Sequence, residues 1–200
     1  GVSAKEIGAR IADAGLEVAD VECIGNWLPG HGEATGAYAA ALAAMTPDRG
    51  IEITAALGAR GVLVVEMLGI PAPPLETAAE CFARICDLAA GQGIIAHLEA
   101  VPFGGIATIR QARAIVEMAG RANGGLTVDS WHLFRGAGSR ADISGLPGSM
   151  VGCVQLSDGP SVPQGDALRE TTRSRLLPGE GQFDLCGLIA GLDAIGSTAP

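Results

Sequence analysis

The chain has 200 residues, enough for one domain with a sizeable core, and its 22 acidic against 13 basic residues give a formal net charge of −9. Such a balance argues against a nucleic-acid binder, which draws its affinity from Lys and Arg set against phosphates. Hydrophobic residues make up 48% and mean hydropathy is +0.34, yet no run approaches the roughly 18 apolar residues a membrane helix needs.

In chain order, Ser3 and Glu6 form a capping box that opens a helix, and Gly15 is placed to end it. The first element is thus a helix with no strand before it. Leu16–Cys23 reads as the first strand, followed by a loop over Ile24–His31 that holds Asn26, Trp27 and His31. Glu33–Met45 is Ala-rich and helical, and Thr46 with Pro47 at the first helical position starts a helix to about Leu57. Gly61–Leu68 is a β-branched strand with Glu66 near its end. Leu75, Ala79, Phe82, Cys86 and Ala89 recur at spacings of 4, 3, 4 and 3, the stripe of a helix packed on one side.

A short apolar run from Gly93 closes on Glu99. Thr108 and Gln111 then form a second capping box, and Ile109, Ala112, Val116 and Ala119 mark one helix face. Gly124 begins the next strand, which ends on Asp129 and is followed by Ser130, Trp131 and His132. Asp142–Leu146 reads as one short helical turn, Met150–Ser157 as a fifth strand ending near Gln155 and Asp158, Asp158–Gly181 as a long polar loop with three arginines, and Phe183–Leu192 as a last helix.

Five cysteines, an odd number without CxxC or zinc-ligand spacing, fit small core residues in a reducing cytosol. No charged segment followed by an apolar one opens the chain, so a cytoplasmic location is expected, although a chain beginning with Gly leaves room for a leader upstream. There is no GxGxxG after a strand, no P-loop, no GxSxG elbow and no HExxH. Strand–helix alternation means a parallel α/β sheet, either part of a barrel or an open doubly wound sheet of flavodoxin type. In both, ligands bind at the carboxyl ends of the strands. Glu99 and Asp129 lie there one βα repeat apart. Two acids held close need a cation to neutralise them, and a divalent metal is the natural candidate.

Four segments in register with this spacing, His97–Phe103 (HLEAVPF), Val128–His132 (VDSWH), Val154–Asp158 (VQLSD) and Arg175–Gly181 (RLLPGEG), resemble the xylose isomerase-like family of sugar phosphate isomerases and epimerases, related to AP endonuclease family 2. The resemblance implies a TIM (β/α)8 barrel present in part: residues 1–200 as a single domain with about five of the eight strands, lacking the first strands and the last. It implies a divalent metal (Mn, Mg, Co or Zn) on Glu99, Asp129 and Gln155, with Gln155 standing where many relatives have a histidine. An amide oxygen suits Mg²⁺ or Mn²⁺ better than it suits Zn²⁺. A further family ligand, a glutamate on the last strand, has no counterpart in these residues.

The resemblance further implies that Glu99 moves a proton, and that His132 and Arg175 hold substrate oxygens, Arg169 and Arg173 being rivals for the arginine's place. Asp158, Glu66 and Trp27 join the expected substrate pocket, with Glu22 and His31 as further walls. The implied activity is a metal-dependent isomerase or epimerase of a sugar or polyol, working through an enediolate. A dehydratase of a keto-polyol, of the inosose or dehydroshikimate type, is the alternative on the same barrel. From a different class, a non-catalytic binding module also fits the departure at Gln155. A small sugar or polyol is the expected partner, with no nucleic acid and no membrane, and a homo-oligomer is compatible with the sequence.

Overall fold

The computed structural model describes residues 1–31, 37–68, 71, 73–136, 138 and 140–200. Among them are five strands: β1 (Asp20–Ile24), β2 (Gly61–Val65), β3 (Ile95–Glu99), β4 (Gly124–Asp129) and β5 (Val151–Gln155). All are parallel and pair in sequence order, β1-β2-β3-β4-β5. That order decides between the two architectures left open above. A flavodoxin-like sheet reverses its strand order at a switch point, whereas a barrel adds each strand to the same growing edge. The sheet is therefore a five-strand part of a TIM barrel, with the helices α1 (Ala4–Asp13), α2 (Ala37–Ala43), α3 (Pro47–Leu57), α4 (Leu75–Ala90), α5 (Ile109–Ala119), α6 (Ser130–Arg135), α7 (Arg140–Ser144), α8 (Ala167–Arg173) and α9 (Leu185–Ala194).

Strand alternation sorts the side chains into two populations. Val62, Val64, Ala96, Leu98, Leu126 and Val128 face outward into the main core, where Phe82, Ile85 and Cys86 of α4 and Ile109, Ala112 and Ile115 of α5 cover them. Each Val, Leu, Ile or Phe side chain so buried contributes about 1.5–3 kcal/mol. The inner face is different. Leu63 and Val65 form a small apolar cluster with Val101, while His97, Glu99, Thr127 and Asp129 are polar and buried.

Deep on that inner face, His97 Nε2 lies 2.6 Å from Asp20 Oδ1 and its Nδ1 2.8 Å from Thr127 Oγ1, joining β1, β3 and β4. The link passes over β2 at Gly61, where a Cβ would overlap the Asp20 carboxylate. A residue with no side chain is what lets the pair form.

Local expectations fare unevenly. Both capping boxes form, each with its side chain on the third helical N–H and the reciprocal bond present. β1 begins at Asp20 rather than Leu16, because the Leu16 N–H donates back to Ile11 O and closes α1 around Gly15, whose φ is +73°. The helix read over Glu33–Met45 is described as Ala37–Ala43, and residues 32–36 lie outside the described residues. The polar segment Asp158–Gly181 is not all loop: it contains α8, capped by the Asp166 carboxylate on the Arg169 N–H. The short turn expected at Asp142–Leu146 is a helix over Arg140–Ser144. On the far edge of β5, the Val154 N–H donates to Pro200 O at 2.9 Å.

The five cysteines are free thiols, and burial pushes those of Cys23, Cys86 and Cys153 up to about 12, so they stay protonated at neutral pH. Among the described residues no helix is long and apolar enough to cross a membrane.

Candidate metal and substrate site

Glu99 and Asp129 are the last residues of β3 and β4, and both side chains point to the inner face at the carboxyl edge of the sheet. Asp129 also starts α6. Its Oδ1 accepts the His132 N–H at 3.1 Å as the helix N-cap, which folds the chain back and sets the His132 ring over the strand ends. The Asp129 Oδ2 is thereby left facing inward. His132 Nε2 lies 3.8 Å from Glu99 Oε1 and 4.0 Å from Asp129 Oδ2. One donor atom from each of the three residues falls within 4.8 Å of the others, and all three residues are buried.

The electrostatics of this cluster are unbalanced. Burial, then the neighbouring Asp129 and Glu22, hold the Glu99 carboxyl well above its ordinary value, with only Arg175 opposing them. Burial likewise pushes His132 down to about 4, so its imidazole is neutral at pH 7. Its Nδ1 is buried and finds no partner among the described residues. Arg175 supplies a cation: its Nη1 donates to Asp129 Oδ2 at 2.6 Å and its Nη2 lies 3.3 Å from His132 Nε2. Two carboxylates and a neutral imidazole nitrogen converging in a buried pocket are the donor set of a divalent cation such as Mn²⁺, Co²⁺ or Zn²⁺. A cation would stabilise the ionised Glu99 that burial disfavours.

Of the residues expected from the sequence, Glu99, Asp129, His132 and Arg175 come together. Glu22 lies close enough to act on Glu99, whereas Asp158, Glu66 and Trp27 are engaged elsewhere. Gln155 sits on β5 in register with Asp129, its amide N–H donating to Glu22 Oε1 at 2.6 Å, while His132 brings a ring nitrogen to the two acids. Asp158 turns its carboxylate into the protein, taking the N–H groups of Gly159, Gly179 and Phe183. Glu66 is wholly buried and takes the N–H groups of Leu68 and Gly105, with His31 Nε2 at 3.6 Å. Trp27 is a packing residue: its indole N–H donates to Val65 O at 2.9 Å and its ring meets Phe82 edge-on. For Asp158, Glu66 and Trp27, a backbone group satisfies what the sequence offered to a substrate.

Two neighbours of the site are not among the residues expected from the sequence. The Phe103 ring stands edge-on to His132, with centroids 6.2 Å apart. Thr171 accepts the Trp131 indole N–H through its hydroxyl and the Arg175 Nε–H through its carbonyl. Phe103 lies inside a recognisable segment but in no periodic position, and Thr171 lies in the helix hidden within the polar segment.

Known proteins share the fold and part of the sequence. Residues 2–199 match the family model of the xylose isomerase-like TIM barrel. The chain is 33% identical over 159 residues to a 3-dehydroshikimate dehydratase of Pseudomonas aeruginosa, a match covering 76% of this chain and 24% of that protein. It is 32% identical over 124 residues to an inosose isomerase of Bacillus velezensis, covering 60% of this chain and 43% of the relative. The chain thus spans about a quarter and under half of the lengths of these two enzymes. Among solved structures, the IOLI protein, crystallised with a zinc atom, superposes with a TM-score of 0.79 at 18% identity, over 98% of this chain and 70% of that one. The family model covers nearly every residue, and the chain belongs to the xylose isomerase-like TIM barrel family.

Proposed function

We propose that this chain carries the metal-binding half of an enzyme that removes a proton next to the carbonyl of a sugar- or polyol-derived substrate. The observation that carries the reading is the convergence of Glu99, Asp129 and His132 donor atoms within 4.8 Å, with Arg175 against Asp129. Glu99, Asp129 and His132 would hold the metal, with Gln155, the ligand expected from the sequence, beside Asp129 on the neighbouring strand. A bound divalent cation would supply Lewis acidity at the substrate's carbonyl and lower the acidity barrier of the adjacent carbon.

The chain's own residues do the rest. Glu99, ionised beside the cation, is the base that takes the proton. Arg175 stands where negative charge would build on a substrate oxygen, and its planar fork can grip two oxygens at once. His132 offers a neutral nitrogen to the same space, and the Phe103 ring packs edge-on against it.

The step after proton removal separates two outcomes. Return of a proton gives isomerisation or epimerisation, and the inosose isomerase relative supports that reading. Loss of a β-hydroxyl gives dehydration, and the longer match to 3-dehydroshikimate dehydratase favours it. Both begin with the same step, so the first test is common to them. In deuterated buffer with Mn²⁺, a keto-polyol such as an inosose should exchange the hydrogen next to its carbonyl, followed by NMR, and mass spectrometry then shows whether water is lost. Glu99→Gln should abolish exchange, and Glu99→Gln and Asp129→Asn should each weaken Mn²⁺ binding by calorimetry on the order of 10- to 100-fold or more. Unchanged Mn²⁺ stoichiometry and affinity in both variants would overturn the site. Tight Mn²⁺ binding without exchange on any keto-polyol would instead support a binding module.

A further inference from the structure

Arg175 reaches the site from the segment after α8, and α8 is anchored by an unusually deep set of contacts. Glu170 of α8 is 3% exposed at its side chain and Arg135 of α6 7%. They pair through two bonds, Nε to Oε2 at 3.1 Å and Nη2 to Oε1 at 3.0 Å. Glu170 Oε1 also accepts the Gln164 N–H, fixing the approach to α8. The Arg135 guanidinium lies 4.7 Å from the Trp131 ring centroid and 4.8 Å from that of Phe183. One residue on from Glu170, Thr171 takes the Trp131 indole N–H through its hydroxyl at 2.9 Å and the Arg175 Nε–H through its carbonyl at 2.8 Å. The face of Trp131 also carries Arg175, 5.6 Å away.

A buried ion pair is seldom the cheapest way to hold two helices together, since desolvation offsets most of its attraction. What it supplies is geometry, because a bidentate arginine fork fixes both distance and orientation. Here the fixed object is α8, whose Thr171 carbonyl orients the Arg175 guanidinium. We infer that Arg135 and Glu170 are positioning residues: through Thr171 they hold Arg175 against Asp129 and His132. The inference rests on the site described above, but its first measurement does not depend on metal or substrate.

That measurement is arginine 15Nε NMR on the protein as it stands. The Arg175 Nε–H signal, assigned by its loss in Arg175→Lys, should be protected from solvent exchange in the parent. Glu170→Gln, and Arg135→Met should the first fail to fold, are expected to remove that protection by about 10-fold or more while the protein remains folded. Persistent protection in either folded variant would overturn the inference.

The second measurement is Mn²⁺ affinity. Removing a guanidinium from beside Asp129 should strengthen cation binding in Arg175→Ala. Glu170→Gln should move affinity the same way by about 3- to 10-fold, and by nothing further in the Arg175→Ala background, the coupling expected of residues acting through one another. An equal shift in both backgrounds means that the pair acts on the site without Arg175, which also overturns the inference. Absence of any Mn²⁺ binding in the parent strikes the metal reading alone, and the exchange measurement then decides the positioning role.

Discussion

Asp158 shows what a single carboxylate can be used for once its surroundings are known. Burial alone would raise its carboxyl, but the backbone N–H groups of Phe183, Gly159, Gly181 and Gly179 together hold it below its ordinary 3.8. It ties the end of β5 to the segment that carries Arg175, and the isolated bridge between Asp158 and Leu176 adds backbone bonds at the same place. Asp158→Ala leaves those N–H groups without their charged acceptor and should cost about 1–3 kcal/mol in urea unfolding. The sign with pH is set by the lowered value. The contribution is complete above the ordinary value of 3.8, falls away as pH drops through the depressed folded value, and is gone below it. The parent should therefore lose stability in that acid range relative to Asp158→Ala, so that the two unfolding midpoints converge.

At the scale of elements, the inner faces of β1 to β4 are joined by the pair of half-buried Asp20 and buried His97, and β2 contributes only the space for it. Gly61→Ala should force the pair apart and cost about 1–3 kcal/mol, since overpacking and the lost Asp20–His97 contact both oppose folding. Thermal unfolding of this variant against the parent measures it, and an unchanged midpoint would show that Asp20 has another place to go. Elements whose signal is local were legible in the sequence. The capping boxes at Ser3 and Thr108 and the apolar stripe of α4 depend on residues three or four apart, and they appear where the spacing puts them.

α8 was not legible, because ALRETTR has too little apolar periodicity and is held by Arg135 and Trp131, 35 and 40 residues away in the chain. Its one local mark is the Asp166 cap. The site divides in the same way. Glu99 and Asp129 can be placed from strand ends alone, and His132 and Arg175 from the recognised segments. Gln155, Asp158, Glu66 and Trp27 could not be judged, since their partners lie 133, 25, 39 and 38 residues distant. A residue type says what it could bind, while only the fold says whether another group has already claimed it.

For the whole molecule, the acidic inner face links metal binding to stability. Glu22, Glu99 and Asp129 share one end of the sheet, and Arg175 is the cation placed among them. Without a metal, the protein either protonates Glu99 or bears the repulsion between carboxylates, and both weaken the folded state at neutral pH. A divalent cation that binds the folded site and not the unfolded chain stabilises by about 2.7 kcal/mol at 100 times its Kd. For a domain of this size, 1 kcal/mol moves Tm by about 2–4 °C. Saturating Mn²⁺ should therefore raise Tm by about 5–10 °C over protein held in a chelator, read by differential scanning calorimetry. Glu99→Gln should start from a higher Tm in chelator, because it removes the buried charge, and should gain little from Mn²⁺. That crossing of the two variants separates a functional cluster, costly until occupied, from a merely structural one. A parent whose Tm is indifferent to Mn²⁺, with Glu99→Gln less stable than the parent in chelator, would mean that Glu99 is held by protein partners alone.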